Sequence, residues 1–75
     1  MDEILFLVEE EPEGGFTASA SSEGNSIFTE ADTVEDLKRS IMDALRCHFE
    51  REEDIPSYIR LHYVKDETIR YAPAS

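Results

Sequence analysis

The feature that most limits the possible folds is an uninterrupted apolar run near the N-terminus, Ile4–Val8. Such a run is typical of a strand that is covered on both faces or lies in the centre of a sheet. The two sets of alternating residues differ in charge. The odd-numbered set includes two glutamates (Glu3, Leu5, Leu7 and Glu9), whereas the even-numbered set is entirely apolar (Ile4, Phe6 and Val8). We therefore predict a central strand whose even-numbered residues face the core.

Two further strands are predicted before the middle of the chain. Phe16–Ser21 alternates strictly, with Phe16, Ala18 and Ala20 on one face, as a half-buried strand does. Ser26–Thr29 is a short third strand, in which both Ile27 and Phe28 are plausible core residues. Turns at 9–15 and 22–25 make the three strands an antiparallel meander.

A single long helix is predicted over Val34–Arg51. Thr33 is a suitable N-cap, and Asp36, three residues later, completes a start that is similar to a capping box. Residues at helical spacing then form one apolar stripe: Val34, Leu37, Ile41, Ala44, Leu45 and His48. A helix of this length, about 27 Å, crosses a four-stranded sheet.

The last clear strand is Tyr58–Val64, with Ile59, Leu61 and Tyr63 on its more apolar face. A right-handed crossover through the helix places it parallel to the first strand. The predicted fold class is α+β with the order βββαβ, the helix packed on one face of the sheet. We expect one domain over residues 1–75, with its core at about 3–65; residues 66–75 form either a weakly ordered tail or a short edge strand at 69–71.

The length and composition of the chain indicate that its core alone gives only marginal stability. The chain has 75 residues, and the core of so short a domain supplies only about 3–5 kcal/mol. One cysteine, Cys47, forms no internal disulfide, and two histidines fall short of a structural zinc set. We therefore expect self-association as a homodimer or a larger oligomer.

The charge of the chain restricts its partners. Seven Lys and Arg against eighteen Asp and Glu give a formal net charge of −11. This field repels phosphate backbones, which argues against direct nucleic-acid binding, and it attracts a basic protein surface. The alternative is that the acidity only keeps the protein soluble. The N-terminus has no basic region and no apolar run long enough for a signal peptide or a membrane span, so we expect a cytoplasmic protein without membrane contact.

The sheet face opposite the helix is the predicted binding surface. Leu5 and Leu7 lie on it, and the neighbouring strands extend it. An apolar patch with a polar rim is typical of a protein interface, although ordinary surface also contains scattered apolar residues. The predicted partner-binding residues, which also offer a route to self-association, are Leu5, Leu7, Thr17, Ser19, Tyr58, Arg60 and His62.

No constellation in the sequence favours catalysis. His48 lies on the apolar stripe of the helix, His62 lies on a strand and points to the opposite face, and Cys47 has no helical-face partner that would activate it. We find no phosphate loop, HExxH or CxxC. We therefore predict a protein that is not an enzyme and has no catalytic, cofactor-binding or metal-binding residues.

Two segments of the chain resemble a known family. Residues 13–18, EGGFTA, resemble the start of the second strand in HicB-like antitoxins, and residues 29–37, TEADTVEDL, resemble the entry into that family's helix. Ala31 stands where the family usually has glycine. The resemblance implies a partial ribonuclease-H-like fold without nuclease activity. It also implies an antitoxin role, in which the domain masks a small basic HicA-like toxin that cleaves mRNA.

Family members of this kind carry a separate C-terminal DNA-binding domain, whereas we expect this chain to be a stand-alone domain. The leading hypothesis is a non-catalytic, HicB-like binding domain. One alternative is a stand-alone oligomeric module with a regulatory or small-molecule-binding role. Another is a minimal metal-dependent hydrolase that uses Glu30 and Asp32, which the absence of a convergent site makes the weakest of the three.

Overall fold

Four strands and one helix form the fold in the computed structural model, which describes residues 2–22, 24–65 and 67–73. The sheet order is β3-β2-β1-β4; β1 is antiparallel to β2 and parallel to β4. The predicted α+β class and βββαβ order are confirmed. In chain order the elements are β1 Glu3–Glu10, β2 Phe16–Ser22, β3 Asn25–Ala31, α1 Val34–His48, a 3₁₀ turn Glu52–Asp54 and β4 Tyr58–Val64.

The central strand β1 faces the core with its even-numbered residues, as predicted. Phe6 is fully buried, and Ile4 and Val8 are nearly so. Leu5, by contrast, is 51% exposed, and Leu7 is 39% exposed. Because side chains alternate along a strand, this parity fixes which face of the whole sheet is covered by the helix.

The turn between β1 and β2 is tighter than the acidic run suggested. Strand pairing continues to Glu10, which lies opposite Phe16. The Glu11 N–H donates to the Gly15 carbonyl at 2.9 Å, and the Gly14 N–H donates to the Glu11 carbonyl at 3.0 Å. Gly15 has a φ of 91°, and an added Cβ would lie 3.3 Å from the Ala31 carbonyl oxygen. Glycine is needed there for its conformation and for the close approach of β3.

The hairpin between β2 and β3 decides which residue of β3 faces the core. Ser22 lies opposite Asn25, so two residues join the strands, and the second of them, Gly24, has a φ of 82°. The pairing buries Ile27, which is 5% exposed, and leaves Phe28 62% exposed. Of the two alternatives, Ile27 is therefore the core residue.

The helix begins where predicted and ends earlier. The Thr33 side chain accepts a hydrogen bond from the Asp36 N–H at 3.1 Å. The predicted end at Arg51 is wrong, because Phe49 is extended and its N–H closes the helix by donating to the Leu45 carbonyl at 3.0 Å. Phe49 packs against the core, and the acidic residues that follow, starting at Glu50, would be unfavourable in the last turn of a helix.

The helix lies over β3 and β2 and leaves the core side of β4 partly open. Ile59 and Leu61 are only half-buried, and Tyr63, which we expected on the same apolar face, is 50% exposed. A groove therefore runs between α1 and β4, lined by Lys38, Ile41, Met42, Ile59 and Leu61. The fully enclosed core lies further from β4 and consists of Ile4, Phe6, Val8, Ala18, Ala20, Ile27, Leu37, Ile41 and Leu45.

Beyond β4, residues 67–73 form neither helix nor strand. Of the two predicted alternatives for 66–75, the edge strand at 69–71 is not formed; residues 66, 74 and 75 lie outside the described residues. Ile69 is 82% exposed and Tyr71 85% exposed. The radius of gyration, 16.0 Å, exceeds the roughly 11 Å of a compact domain of this length, because the tail extends away from the sheet.

Candidate protein interface

One helix covers one face of the sheet, and the opposite face, which we call the open face, is formed by alternate residues of all four strands. Ser19 of β2 lies opposite Leu7 of β1 on one side and opposite Phe28 of β3 on the other. Leu7 in turn lies opposite His62 of β4. The row Phe28–Ser19–Leu7–His62 therefore crosses the entire sheet.

A shallow groove runs along β2 in this face. Leu5 and Leu7 form one wall, Phe28 forms the other, and the small side chains of Ser19 and Ser21 form the floor. A small residue between larger apolar ones leaves room for a side chain of a binding partner. The hydroxyls on the floor add hydrogen-bond donors and acceptors, so the groove offers both apolar contact and polar recognition.

Acidic residues lie at the ends of this apolar centre. At one end, Thr17 lies opposite both Glu9 and Glu30, which gives a row with two carboxylates. At the other end, the Glu3 carboxylate forms an ion pair with Arg60, with Oε2 3.1 Å from Nε, and Glu3 Oε1 accepts a hydrogen bond from Arg60 Nη2 at 3.5 Å. The Glu3–Arg60 pair is partly neutralised, whereas the Glu9–Thr17–Glu30 row presents negative charge to a partner.

The structure brings all seven predicted site residues to the open face. Tyr58, Arg60 and His62 lie directly beside Glu3, Leu5 and Leu7, because β4 is parallel to β1 in that register. Thr17 and Ser19 continue the face across β2. The predicted set therefore shares one surface, although Tyr58 lies at its far end from the Glu9–Thr17–Glu30 row.

Phe28 is the main residue of the open face that our sequence analysis missed. It is more exposed than Leu5 or Leu7 and completes the groove. The signal that identifies it is the turn at Gly24: a two-residue hairpin fixes Ser22 opposite Asn25, and counting back from that pair places Phe28 opposite Ser19.

The histidine and cysteine side chains do not form a cluster in the described part of the chain. His48 is half-buried, and its ring contacts Phe49 edge-to-face with the ring centroids 5.0 Å apart. His62 lies on the open face, and Cys47 is exposed on the helix. Within residues 2–22, 24–65 and 67–73, no three or more His, Cys, Asp or Glu side chains are arranged to hold a metal ion.

Two curated proteins are similar to the chain over most of its length. One, from Thermotoga maritima, is 43% identical over 67 residues, which cover 89% of this chain and 90% of that protein. The other, from Archaeoglobus fulgidus, is 49% identical over 53 residues, which cover 71% of this chain and 76% of that protein. Both are named UPF0150 protein. The chain belongs to the UPF0150 family.

The UPF0150 name states no activity, ligand or partner. Membership of the family therefore does not indicate a function. No family model matches the chain, and no solved structure matches it. Among the described residues of this UPF0150 protein, no helix is long and apolar enough to cross a membrane.

Proposed function

We propose that this UPF0150 protein is a non-catalytic binding domain, similar in role to a HicB-type antitoxin, whose open face masks a small basic toxin that cleaves mRNA. The observation that carries the proposal is the open face itself. It is continuous across four strands, it has exposed leucines on its inner strand β1 and Phe28 on the edge strand β3, and it has carboxylates at its rim.

The apolar centre supports protein binding because exposed apolar groups gain most when a partner removes them from water. Leu5, Leu7 and Phe28 retain 51%, 39% and 62% of their exposure in the isolated chain. Burying such side chains in an interface contributes roughly 25 cal/mol per Å² of apolar area. Leu5 and Leu7 lie on the inner strand β1, and carboxylates lie at the ends of the apolar patch, which matches the usual anatomy of an interface with an apolar core inside a polar rim.

The charge of the protein supports a basic partner. The formal net charge is −11, and the Glu9–Thr17–Glu30 row places part of it beside the apolar centre. Opposite charge raises the association rate and disfavours acidic competitors. A toxin that binds mRNA must itself be basic enough to hold a phosphate backbone, so the two surfaces are complementary.

The antitoxin role comes from the resemblance of residues 13–18 and 29–37 to HicB-like proteins. The observed βββαβ order is the arrangement that this resemblance implies. An antitoxin of this type blocks the toxin sterically and needs no catalytic groups of its own. The proposal places the protein in the cytoplasm, where the toxin meets its mRNA substrate.

The test is capture of the partner from host lysate at low salt with the tagged full-length protein, followed by native mass spectrometry. We expect a small basic protein that dissociates as salt rises, because screening weakens the charge attraction. The captured protein is then assayed for mRNA cleavage. The proposal requires cleavage by the free partner and its suppression when the UPF0150 protein is added in excess; a partner without ribonuclease activity contradicts the antitoxin role.

A second candidate function is a stand-alone oligomeric module with a regulatory or small-molecule-binding role. The observation that favours it is apolar exposure away from the open face, at Tyr63, Ile69 and Tyr71. This candidate predicts a small molecule retained through purification and located at the seam between subunits. Native mass spectrometry of the purified protein, before and after mild denaturation, detects such a ligand by its mass.

A further inference from the structure

Strand β4 is an edge strand whose outer side is available for pairing. Within the described part of the chain, β4 pairs with β1 on one side only and ends the sheet. It runs for seven residues, Tyr58–Val64, without a proline. A row of unpaired N–H and C=O groups of this length is a template for another strand.

The same chain carries a segment with the composition of such a strand. In the tail, residues 67–73, Ile69 and Tyr71 alternate with Thr68 and Arg70. Branched and aromatic residues favour strands, and alternation gives a segment one apolar face. The tail contains the two most exposed large apolar side chains of the described residues, Ile69 at 82% and Tyr71 at 85%, so it gains the most from a partner.

The groove between α1 and β4 is the matching apolar surface. Its lining is mainly the side chains of Ile41, Met42, Ile59 and Leu61. The helix leaves the core side of β4 partly open, so the groove lies beside the unpaired edge. A strand added at that edge places its apolar face against the groove and against Tyr63, which is half-exposed.

We propose that two copies of the chain exchange their tails, each tail pairing antiparallel with β4 of the other copy. The two four-stranded sheets then become one continuous sheet with a two-fold axis at its centre. The tail extends away from its own sheet, as the radius of gyration of 16.0 Å reflects, and a second copy offers it an unpaired edge. Each copy both gives and receives a tail, so the contact closes as a dimer.

Symmetry determines which face the tail presents. A two-fold axis through an antiparallel strand pair is perpendicular to the sheet, so odd-numbered residues lie opposite odd-numbered ones. Opposite residues in an antiparallel pair point to the same face. Ile69 and Tyr71 therefore lie on the helix side, with Leu61 and Tyr63 of the other copy.

Charge then selects between the two symmetric registers that pair six of the seven tail residues with β4. In one register Arg70 lies opposite Arg60 of the other copy and Lys65 lies opposite its own symmetry mate, which places like charges face to face. In the other, shifted by two residues, Arg70 lies opposite His62 and Lys65 lies opposite Glu67, so the one like-charged pair is Asp66 with its symmetry mate. The second register is favoured; it pairs Ile69 with Tyr63 and Tyr71 with Leu61.

The dimer leaves the open face free. Because the axis is perpendicular to the sheet, both helices lie on one side and both copies of the Leu5–Leu7–Phe28 groove lie on the other. The dimer therefore presents two binding faces in the same direction. This inference does not rest on the proposed function: tail exchange stands or fails whether or not the open face binds a toxin.

The oligomeric state of the 75-residue chain tests the exchange. We expect light scattering after size exclusion to give twice the chain mass of 8.6 kDa for the wild type, and the single mass for Ile69→Asp/Tyr71→Asp. Leu5→Lys/Leu7→Lys, on the open face, should stay dimeric. A monomeric wild type, or a tail variant that remains a dimer, overturns the proposal. Circular dichroism checks that each variant is folded.

Disulfide trapping tests the register and the face. In a Cys47→Ser background, Tyr63→Cys/Ile69→Cys should oxidise to a species of double mass on a non-reducing gel, because opposite residues of an antiparallel pair lie within disulfide range. The matched control, His62→Cys/Ile69→Cys, places the two thiols on opposite faces and should not cross-link. The exchange is overturned if the control cross-links more readily than Tyr63→Cys/Ile69→Cys. It is also overturned if the disulfide forms within one chain, so that the species on the gel has the mass of a monomer.

Discussion

Leu7 and Phe28 lie on the same face of the sheet, two strands apart, with only the small side chain of Ser19 between them. The helix covers neither of them. Their spacing creates the groove of the open face. It depends on two structural features, the orientation of β1 and the geometry of the β2–β3 hairpin. The parity of β1 places Leu7 outward, and the turn at Gly24 places Phe28 outward.

Neighbouring residues of β3 should therefore differ sharply in their effect on stability. We expect Ile27→Ala to lower the free energy of unfolding by roughly 2–5 kcal/mol, because it opens a cavity in the core. Phe28→Ala should change it by less than about 1 kcal/mol, since the ring is 62% exposed. Urea unfolding monitored by circular dichroism checks both. Equal losses would mean that β3 presents the other face to the helix.

The parity of β1 predicts a similar contrast. Phe6→Ala should cost about 3–5 kcal/mol, which is the whole stability expected of a core this small, so the variant should be largely unfolded at room temperature. Leu5→Ala, one residue away and 51% exposed, should remain folded. Far-UV circular dichroism of the two variants under identical conditions distinguishes these outcomes, and a folded Phe6→Ala would contradict the assignment of the core.

The two adjacent glycines of the first turn provide a test of the contact between that turn and β3. Both have positive φ, but only at Gly15 would a Cβ meet a neighbour, 3.3 Å from the Ala31 carbonyl oxygen. Gly14→Ala should cost about 1–2 kcal/mol for the backbone conformation alone, and Gly15→Ala should cost more. Thermal unfolding of the pair measures the difference, which vanishes if β3 does not approach the turn.

The start of the helix depends on Thr33. Its Oγ1 accepts from the Asp36 N–H at 3.1 Å, so Thr33→Ala should lower the free energy of unfolding by about 1 kcal/mol. Thr33→Ser retains the oxygen and should unfold at nearly the wild-type urea concentration. If the serine variant loses as much stability as the alanine variant, the hydroxyl is not the source of the effect.

Much of the fold is predictable because local patterns agreed with the global arrangement. The uncharged even positions of β1 identified the core face, and the Thr33 cap located the start of the helix. The face of β3 was not predictable from apolar pattern alone, since Ile27 and Phe28 are adjacent and both apolar. The end of the helix was missed because the charged residues after Phe49 are as compatible with an exposed turn of helix as with a loop.

The sequence predicts the candidate site only as far as the alternation of side chains along each strand can be read from it. Seven outward residues of β1, β2 and β4 could be named from parity, but the groove needed the hairpin register that brings in Phe28. The width of the surface that the helix leaves open on β4 depends on how the helix packs across the sheet. That packing is a tertiary property, and periodicity within the helix does not encode it.

Binding of the basic partner to the open face can be tested by a competition experiment. Leu5→Lys/Leu7→Lys places two cations at the centre of the face and changes the net charge from −11 to −9, since two positive charges are added. Asp36→Asn/Asp43→Asn makes the same charge change on the helix, where these carboxylates pair with Arg39 and Arg46. The two variants are matched in net charge, and only the first changes the open face.

Each variant is mixed with an equal amount of wild-type protein and a limiting amount of the captured basic partner, and native mass spectrometry measures which chain carries the partner. We expect the partner to occupy the wild type almost exclusively in the mixture with Leu5→Lys/Leu7→Lys, and to divide nearly evenly in the mixture with Asp36→Asn/Asp43→Asn. Even division in both mixtures would contradict the claim that the partner binds the open face.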